Sequence, residues 1–330
     1  MERTINDFAM LEPMRYYNNE DANNQKRKDM IENKDGEYVA TKKNDGDWAM
    51  LIHYSKGNNL IRSRSISKVT GVYGDYTAKV PHIAAEMDEW PDNTVVLAEL
   101  CWDQDGTNAN TVGTILRCLP AKAVERQKEN KLKAVVFDLL MVDGEDLTSM
   151  GYYFRLQEVL HMPRGLYTYP TDVYTDDFAE AADRIIAGGG EGIVIQRKDY
   201  IYSPGSRTAW KTLKLKQQLP EMELKVVGTL EPKKFYEGDC PETWEYVVDG
   251  ELVTKPYYYG WKNGITVELP DGTTTDVASG LTDDDRAWLA TEDAAKMIAA
   301  GELYAVVKAM SFNDKGRLRH PSLVRLRNDM

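Results

Sequence analysis

Cysteine is scarce in this chain of 330 residues, and Cys101, Cys118 and Cys240 lie far apart with no Cys-x-x-Cys pair. That spacing argues against a disulfide framework and a zinc site, and it fits a reducing compartment. The four histidines, His53, His82, His161 and His320, are scattered, which leaves no histidine-centred metal site or triad in view. His-Glu-x-x-His and Gly-x-Ser-x-Gly are both absent. No Gly-Lys dipeptide occurs, so the Gly-x-x-x-x-Gly-Lys phosphate loop is excluded. A glycine cluster at 188–192 follows an expected helix and precedes an expected strand, the reverse of the order in a dinucleotide-binding turn. No run of about 18 apolar residues exists, so no membrane-spanning helix is expected. The opening MERTINDFAM lacks the basic-then-apolar pattern of a secretory leader. A cytoplasmic protein is the resulting expectation.

What is present begins with size. At 330 residues and 42 % hydrophobic, the chain exceeds the roughly 250–300 residues at which one core usually divides. Two domains are therefore expected. The net charge of −12 weighs against a nucleic-acid partner when taken alone. Two stretches run the other way: 205–216 holds Arg207, Lys211, Lys214 and Lys216 without an acid, and 315–327 holds Lys315, Arg317, Arg319, Arg325 and Arg327 without one. A charge run on its own reads first as a solvated face.

Residues 1–30 are polar and charged and read as a loosely docked helical lead-in. EYVATKK, WAMLIHY and NLIRSRS, broken by turn signals at Asn44-Asp45-Gly46 and Lys56-Gly57-Asn58-Asn59, read as an antiparallel meander. A helix is expected from Pro81 to about Trp90, then buried strands at TVVLAELCW and KAVVFDLLMV. Helices are expected over 152–162 and 177–187, the second stopped by Gly188-Gly189-Gly190, followed by strands EGIVIQR and WKTLKLK. Pro220 within QQLPEM marks a linker. Beyond it ELKVVGTL, YYYGW, ITVEL and YAVVKAM read as short strands of a small barrel, with turns at Asn263-Gly264 and Asp271-Gly272 and a helix near 281–299.

Lys43-Asn44-Asp45-Gly46 ends a strand and opens a turn. A lysine amine is a nucleophile only when neutral, so a catalytic lysine needs a site that favours loss of its proton. Further along come carboxylates at Glu99 and Glu191, of the oxygen-donor type that Mg²⁺ takes. Lys214 and Lys216 lie two apart in a strand and therefore on one face, with Leu213 and Leu215 on the other.

In this order and spacing the residues resemble the covalent nucleotidyltransferase superfamily, and within it the ATP-dependent DNA ligases. The resemblance spans about residues 35–330. It makes Lys43 the residue that carries AMP and puts Thr41 at the adenine. Ser63-Arg64 matches a motif whose arginine contacts phosphates of the nucleotide or of the nick. Glu99 in LAEL matches an acidic motif and Glu191 in EGIVIQ an acidic contact to the metal or the nucleophile, so both are expected to serve Mg²⁺ or Mn²⁺. Phe137 in VVFDLL stands where an aromatic stacks on the purine. Lys214 and Lys216 match two lysines aimed at the α-phosphate, and RLRHPSLVRLRND matches the last motif through Arg327 and Asp329. Three positions depart from the family pattern: Trp48 in place of an arginine, Ala98 in place of a glycine, and Met330 where the last motif continues to a lysine.

The resemblance implies an α+β protein. Residues 1–218 would form an adenylyltransferase domain of ATP-grasp-like antiparallel sheets with helices, and 219–330 an OB-fold β-barrel. It implies an enzyme of DNA repair, replication and recombination that binds ATP and nicked double-stranded DNA, acts as a monomer and needs no membrane. A hinge is expected at 217–222. Residues 231–255, rich in aromatics and charge, read equally as a DNA-encircling loop or a plain surface excursion. An RNA ligase or RNA-capping guanylyltransferase shares the nucleophile motif, and a non-catalytic nucleotide- or DNA-binding module is the alternative that is not an enzyme.

Overall fold

The computed structural model describes residues 3–16, 25–67, 70–102, 109–208, 210–216, 219–236, 246–309, 311–312 and 316–327. The expectations that fall on Gln217, Gln218, Cys240, Lys315, Asp329 and Met330 lie outside these residues. The chain divides into two compact units, Met1–Lys216 and Gln217–Met330.

The first unit opens with α1 (Ile5–Phe8) and α2 (Gln25–Glu32), and then runs through β1 (Tyr38–Lys43), β2 (Asp47–Ser55), β3 (Asn58–Ile66) and β4 (Tyr73–Asp75). Next come α3 (Pro81–Met87), with proline in its first turn, β5 (Thr94–Cys101), α4 (Ala109–Leu116), α5 (Pro120–Arg126), β6 (Lys133–Val142) and β7 (Glu145–Asp146). The unit closes with α6 (Tyr152–His161), β8 (Thr168–Pro170), β9 (Val173–Tyr174), α7 (Phe178–Ala187), β10 (Gly192–Arg197) and β11 (Thr212–Lys216).

Two largely antiparallel sheets result. One has the order β9-β1-β10-β11; the other has the order β4-β3-β2-β5-β6-β7, with β8 parallel to β6. The expected meander is corrected here. β2 and β3 form a hairpin, but β1 belongs to the other sheet, where it pairs with β9 and β10. The turn Asn44-Asp45-Gly46 carries the chain from one sheet to the next, and glycine is required there. A Cβ at Gly46 would lie 2.2 Å from the Leu100 carbonyl oxygen.

Alternation along the strands separates the cores. One face of the smaller sheet presents Ala40, Ile193, Ile195 and Leu213 to Met30 of α2 and to Phe178 and Ala182 of α7. The larger sheet packs Ala49, Leu51, Val96, Ala98 and Val136 on α3, α4 and α5. Its other face shares a layer with Val39, built from Trp48, Met50, Leu97, Phe137, Tyr152, Tyr200 and Tyr202. The loosely docked lead-in is also corrected. Phe8, Met14 and Met30 are at most 3 % exposed, and the buried Arg62 guanidinium donates to the carbonyls of Phe8 and Leu11.

The second unit holds β12 (Met222–Leu230), α8 (Lys255–Tyr259), β13 (Gly264–Glu268), β14 (Thr274–Val277), α9 (Asp283–Trp288), α10 (Glu292–Ala300), β15 (Tyr304–Lys308) and β16 (Ser322–Arg327). Its sheet order is β14-β13-β12-β15-β16. The two edges also meet, through a Ser279–Ser322 bridge and a 2.9 Å bond from the Leu323 amide to the Ser279 carbonyl. Two helices stand where one was expected near 281–299. YYYGW is not a strand: Thr254 caps the Tyr257 amide, Pro256 sits in the first turn, and Gly260 is left-handed at the end. Those start and stop signals outweigh the β-preference of three tyrosines.

Among the described residues of the first unit, Arg155 and Asp138 form the most buried ion pair, at 2.8 and 3.0 Å with neither side chain more than 1 % exposed. Arg155→Ala leaves a buried carboxylate unpaired and is expected to cost about 3–5 kcal/mol of unfolding free energy in urea titrations. Arg155→Met with Asp138→Leu is expected to recover most of that loss, and no recovery would assign the cost to packing instead.

Candidate functional site

Lys43 ends β1, and the chain turns immediately after it. Its ammonium lies 2.5 Å from an oxygen of Glu191, both side chains being less than 20 % exposed. Glu191 directly precedes β10, whose first residue, Gly192, pairs with Lys43 on one side and Lys216 on the other. Two residues further, Val194 pairs with Thr41 and Lys214. Because paired residues of a sheet share a face, Thr41, Lys43, Lys214 and Lys216 all stand on the face opposite α7. Gly192 makes this close assembly possible. A Cβ there would sit 2.1 Å from the Leu215 carbonyl oxygen, and its φ of +133° belongs to glycine.

Glu99 comes from the larger sheet, where it pairs with Trp48 on β2 and Val135 on β6. Its carboxyl is pushed up to about 8, chiefly by burial, with Lys43 opposing the rise, Asp47 and Glu191 adding to it, and Arg64 opposing it. The Asp47 carboxyl is raised as well, first by burial, against the lowering pull of Arg117 and a hydrogen bond from Tyr76. The charges of Lys43, Asp47, Glu191 and Arg64 therefore all bear on Glu99.

Phe137 is turned toward this region by a bulge. Leu97 pairs with Asp138 and Ala98 with Val136, so Phe137 has no partner across the ladder and joins the aromatic layer with Trp48 and Tyr152. Tyr152 donates to the Phe137 carbonyl at 3.0 Å, and its hydroxyl also engages Thr41 and Gln196. Thr41 is only 3 % exposed. Arg64, half-buried, donates to the Met14 carbonyl at 3.4 Å. Arg327 belongs to the second unit, where its guanidinium meets Glu223 at 3.1 Å.

Among the residues expected from sequence, the first unit brings together Lys43, Glu191, Glu99, Arg64, Lys214 and Lys216. Sequence reading overlooked Asp47, Arg62 and Tyr152. The Arg62-x-Arg64 alternation was a visible signal for the second of these; nothing local marked Tyr152 as a support for Thr41 and Phe137. No group of three or more His, Cys, Asp or Glu among the described residues is placed to hold a metal by protein ligands alone. No described helix is long and apolar enough to cross a membrane.

Residues 22–216, more than half of the chain, match the family model described as the ATP dependent DNA ligase domain. A DNA ligase of Methanopyrus kandleri is 34 % identical over 110 residues, 32 % of this chain and 20 % of the relative. A DNA ligase of Thermococcus fumicolans is 28 % identical over 211 residues, 61 % of this chain and 36 % of the relative. The matches thus span about a fifth and a third of those relatives. Among solved structures, a Lig E DNA ligase aligns with a TM-score of 0.58 at 17 % identity, covering 88 % of this chain and 93 % of its own. Another, designated Pmar-Lig_Pre, aligns with a TM-score of 0.65 at 17 % identity, covering 96 % and 68 %. These structures share the fold of this chain.

Two measurements follow from the geometry. Gly192→Ala is expected to destabilise by more than about 2 kcal/mol in urea unfolding, through contact and backbone strain together. Gly188→Ala, with ordinary φ and no neighbour nearer than 3.5 Å, is expected to stay within about 1 kcal/mol of wild type. Glu99 binds its proton more tightly folded than unfolded, so its ionisation lowers stability as pH rises from 4.5 toward 8. In chelator, Glu99→Gln is expected to match wild type near pH 4 and to become progressively the more stable up to pH 8. A constant difference across that range would count against the raised pKa.

Proposed function

The chain belongs to the ATP-dependent DNA ligase family, and from that premise we propose that it seals nicks in double-stranded DNA through AMP carried on Lys43. The carrying observation is the Lys43 amine held against Glu191 on the sheet face that also bears Lys214 and Lys216. Attack by Nζ on the α-phosphorus of ATP forms a P–N bond as the bond to pyrophosphate breaks. Glu191, at 2.5 Å, is the acceptor for the proton that Lys43 must lose. Lys214 and Lys216 stabilise the negative charge that builds on the phosphate. A 5′-phosphate oxygen at the nick then attacks the same phosphorus and frees Lys43. Finally the 3′-hydroxyl attacks the 5′-phosphate, closing the phosphodiester and releasing AMP.

Adenine recognition is assigned to Phe137, presented by the bulge, and to Thr41 on the floor supported by Tyr152. Arg64 is assigned to the sugar–phosphate, and Arg327 to the nucleotide from the second unit. Two carboxylates whose charges act on each other, one of them driven up to about 8, fit a divalent cation that takes its other ligands from phosphate and water. Glu99 and Glu191 would hold Mg²⁺ (or Mn²⁺), which supplies positive charge to the phosphate oxygens. The second unit is read as an OB-fold barrel over 219–330. That reading is supported by five strands whose edge strands bridge and by helices between the third and fourth.

Sealing of a singly nicked duplex with Mg²⁺ and either ATP or NAD tests this reading. The expected outcome is ligation with ATP only, together with a labelled AMP adduct, both abolished in Lys43→Ala. A folded wild-type protein that forms no adduct would overturn the ligase mechanism. An adduct that transfers only to RNA ends would redirect it to an RNA substrate.

A further inference from the structure

Trp48 is an uncharged side chain in the middle of a polar row. β2 sets it opposite Glu99 on one side. On the other side, extending the Ala49–Ser63 pairing by one residue sets it against Arg64. Across one face of the sheet the order is thus cation, indole, carboxylate. The Arg64 guanidinium carbon lies 5.8 Å from the indole centroid, and that of Arg62 lies 5.9 Å away. Arg62 is itself committed to backbone carbonyls and to the Tyr73 ring at 4.0 Å. Trp48 is 8 % exposed, so little of its ring remains to meet a ligand. Arg64 is half-buried, and among the described residues its other anchor is the Met14 carbonyl at 3.4 Å.

We propose that Trp48 is a positioning residue, its indole holding the Arg64 guanidinium beside Glu99 so that Arg64 supplies the cation for the sugar–phosphate of the bound adenine nucleotide. This inference rests on the ligase reading and adds a residue to it. Tryptophan has the strongest ring quadrupole of the aromatic side chains, and a planar guanidinium is suited to stacking on it. Standing between Arg64 and Glu99, the indole also keeps the two from collapsing into an ion pair. The cation stays available to phosphate. A chain with an aliphatic residue here would leave Arg64 to solvent or to the carboxylate.

The test is single-turnover formation of the Lys43–AMP adduct over a range of ATP concentrations. Trp48→Phe is expected to stay within about threefold of wild type, whereas Trp48→Leu is expected to need about tenfold more ATP for half-maximal rate. In an Arg64→Ala background, Trp48→Leu is expected to add nothing, because the two act as one unit. Tryptophans carrying one to four ring fluorines at position 48 keep the shape while weakening the quadrupole, and the ATP requirement is expected to rise stepwise with them. This series keeps the test decisive if Trp48→Leu does not fold. A flat fluorine series, or a Trp48→Leu loss of equal size with and without Arg64, overturns the proposal while leaving the ligase reading intact. A wild-type protein that forms no adduct removes the ligase reading itself, and this one with it.

Discussion

The geometry of the site depends on the close approach of three strands at Gly192. Lys43 and Lys216 stand on either side of it, and Glu191 precedes it. Any side chain at that point would meet the Leu215 carbonyl oxygen and push the strand carrying Lys214 and Lys216 away from the strand carrying Lys43. Register matters as much as distance. A slip of one residue in either pairing would exchange the faces, turning Ile193, Ile195 and Leu213 to the site and the lysines into the core against α7. The apolar set on the far face therefore enforces the position of the polar set on the near one. The chemistry is held in place by hydrophobic burial that takes no part in it.

Much of this arrangement was legible in the residues. Lys214-Leu215-Lys216 announces a strand with one cationic face, and the helices at 152–161 and 178–187 follow from their spacing. The smaller sheet could not be read the same way, because β1 and β2 look like consecutive members of one meander. The pairing of β1 with β9 and β10, against that of β2 with β3 and β5, shows that the chain changes sheets at the turn between them. The bulge at Phe137 was equally hidden, since an extra residue in one strand leaves no mark on an apolar run. In the second unit, three tyrosines suggested a strand, but the capping residues Thr254 and Gly260 decided for a helix. The first and last residues of an element were in that case more informative than its interior.

Net charge was the least informative quantity. At −12 the chain is acidic, yet the sheet face at the site carries Lys43, Lys214 and Lys216, with Arg64 close to Glu99 from the other sheet. Against these cations stand Asp47, Glu99 and Glu191, in surroundings dry enough to drive the Glu99 carboxyl up to about 8. A buried cluster of both signs is unfavourable for stability, because each group loses hydration that its neighbours only partly replace. Such a cluster is suited to a ligand that brings phosphate and a divalent cation together.

The polar groups beneath the site have a different part. Arg62 ties Phe8 and Leu11 to the larger sheet, while Arg155 joins Asp138 to the Met150 and Tyr200 carbonyls. Tyr152, one helical turn from Arg155, binds the Phe137 carbonyl and reaches Thr41. Apolar replacements could fill these volumes and could even raise stability. They could not fix the direction of Phe137 or the depth of Thr41, because dispersion is not directional and hydrogen bonds are. Two sheets that only packed together would leave the aromatic layer free to slide. The buried donors and acceptors oppose that sliding, and they tie Phe137 and Thr41 to α6 through Tyr152.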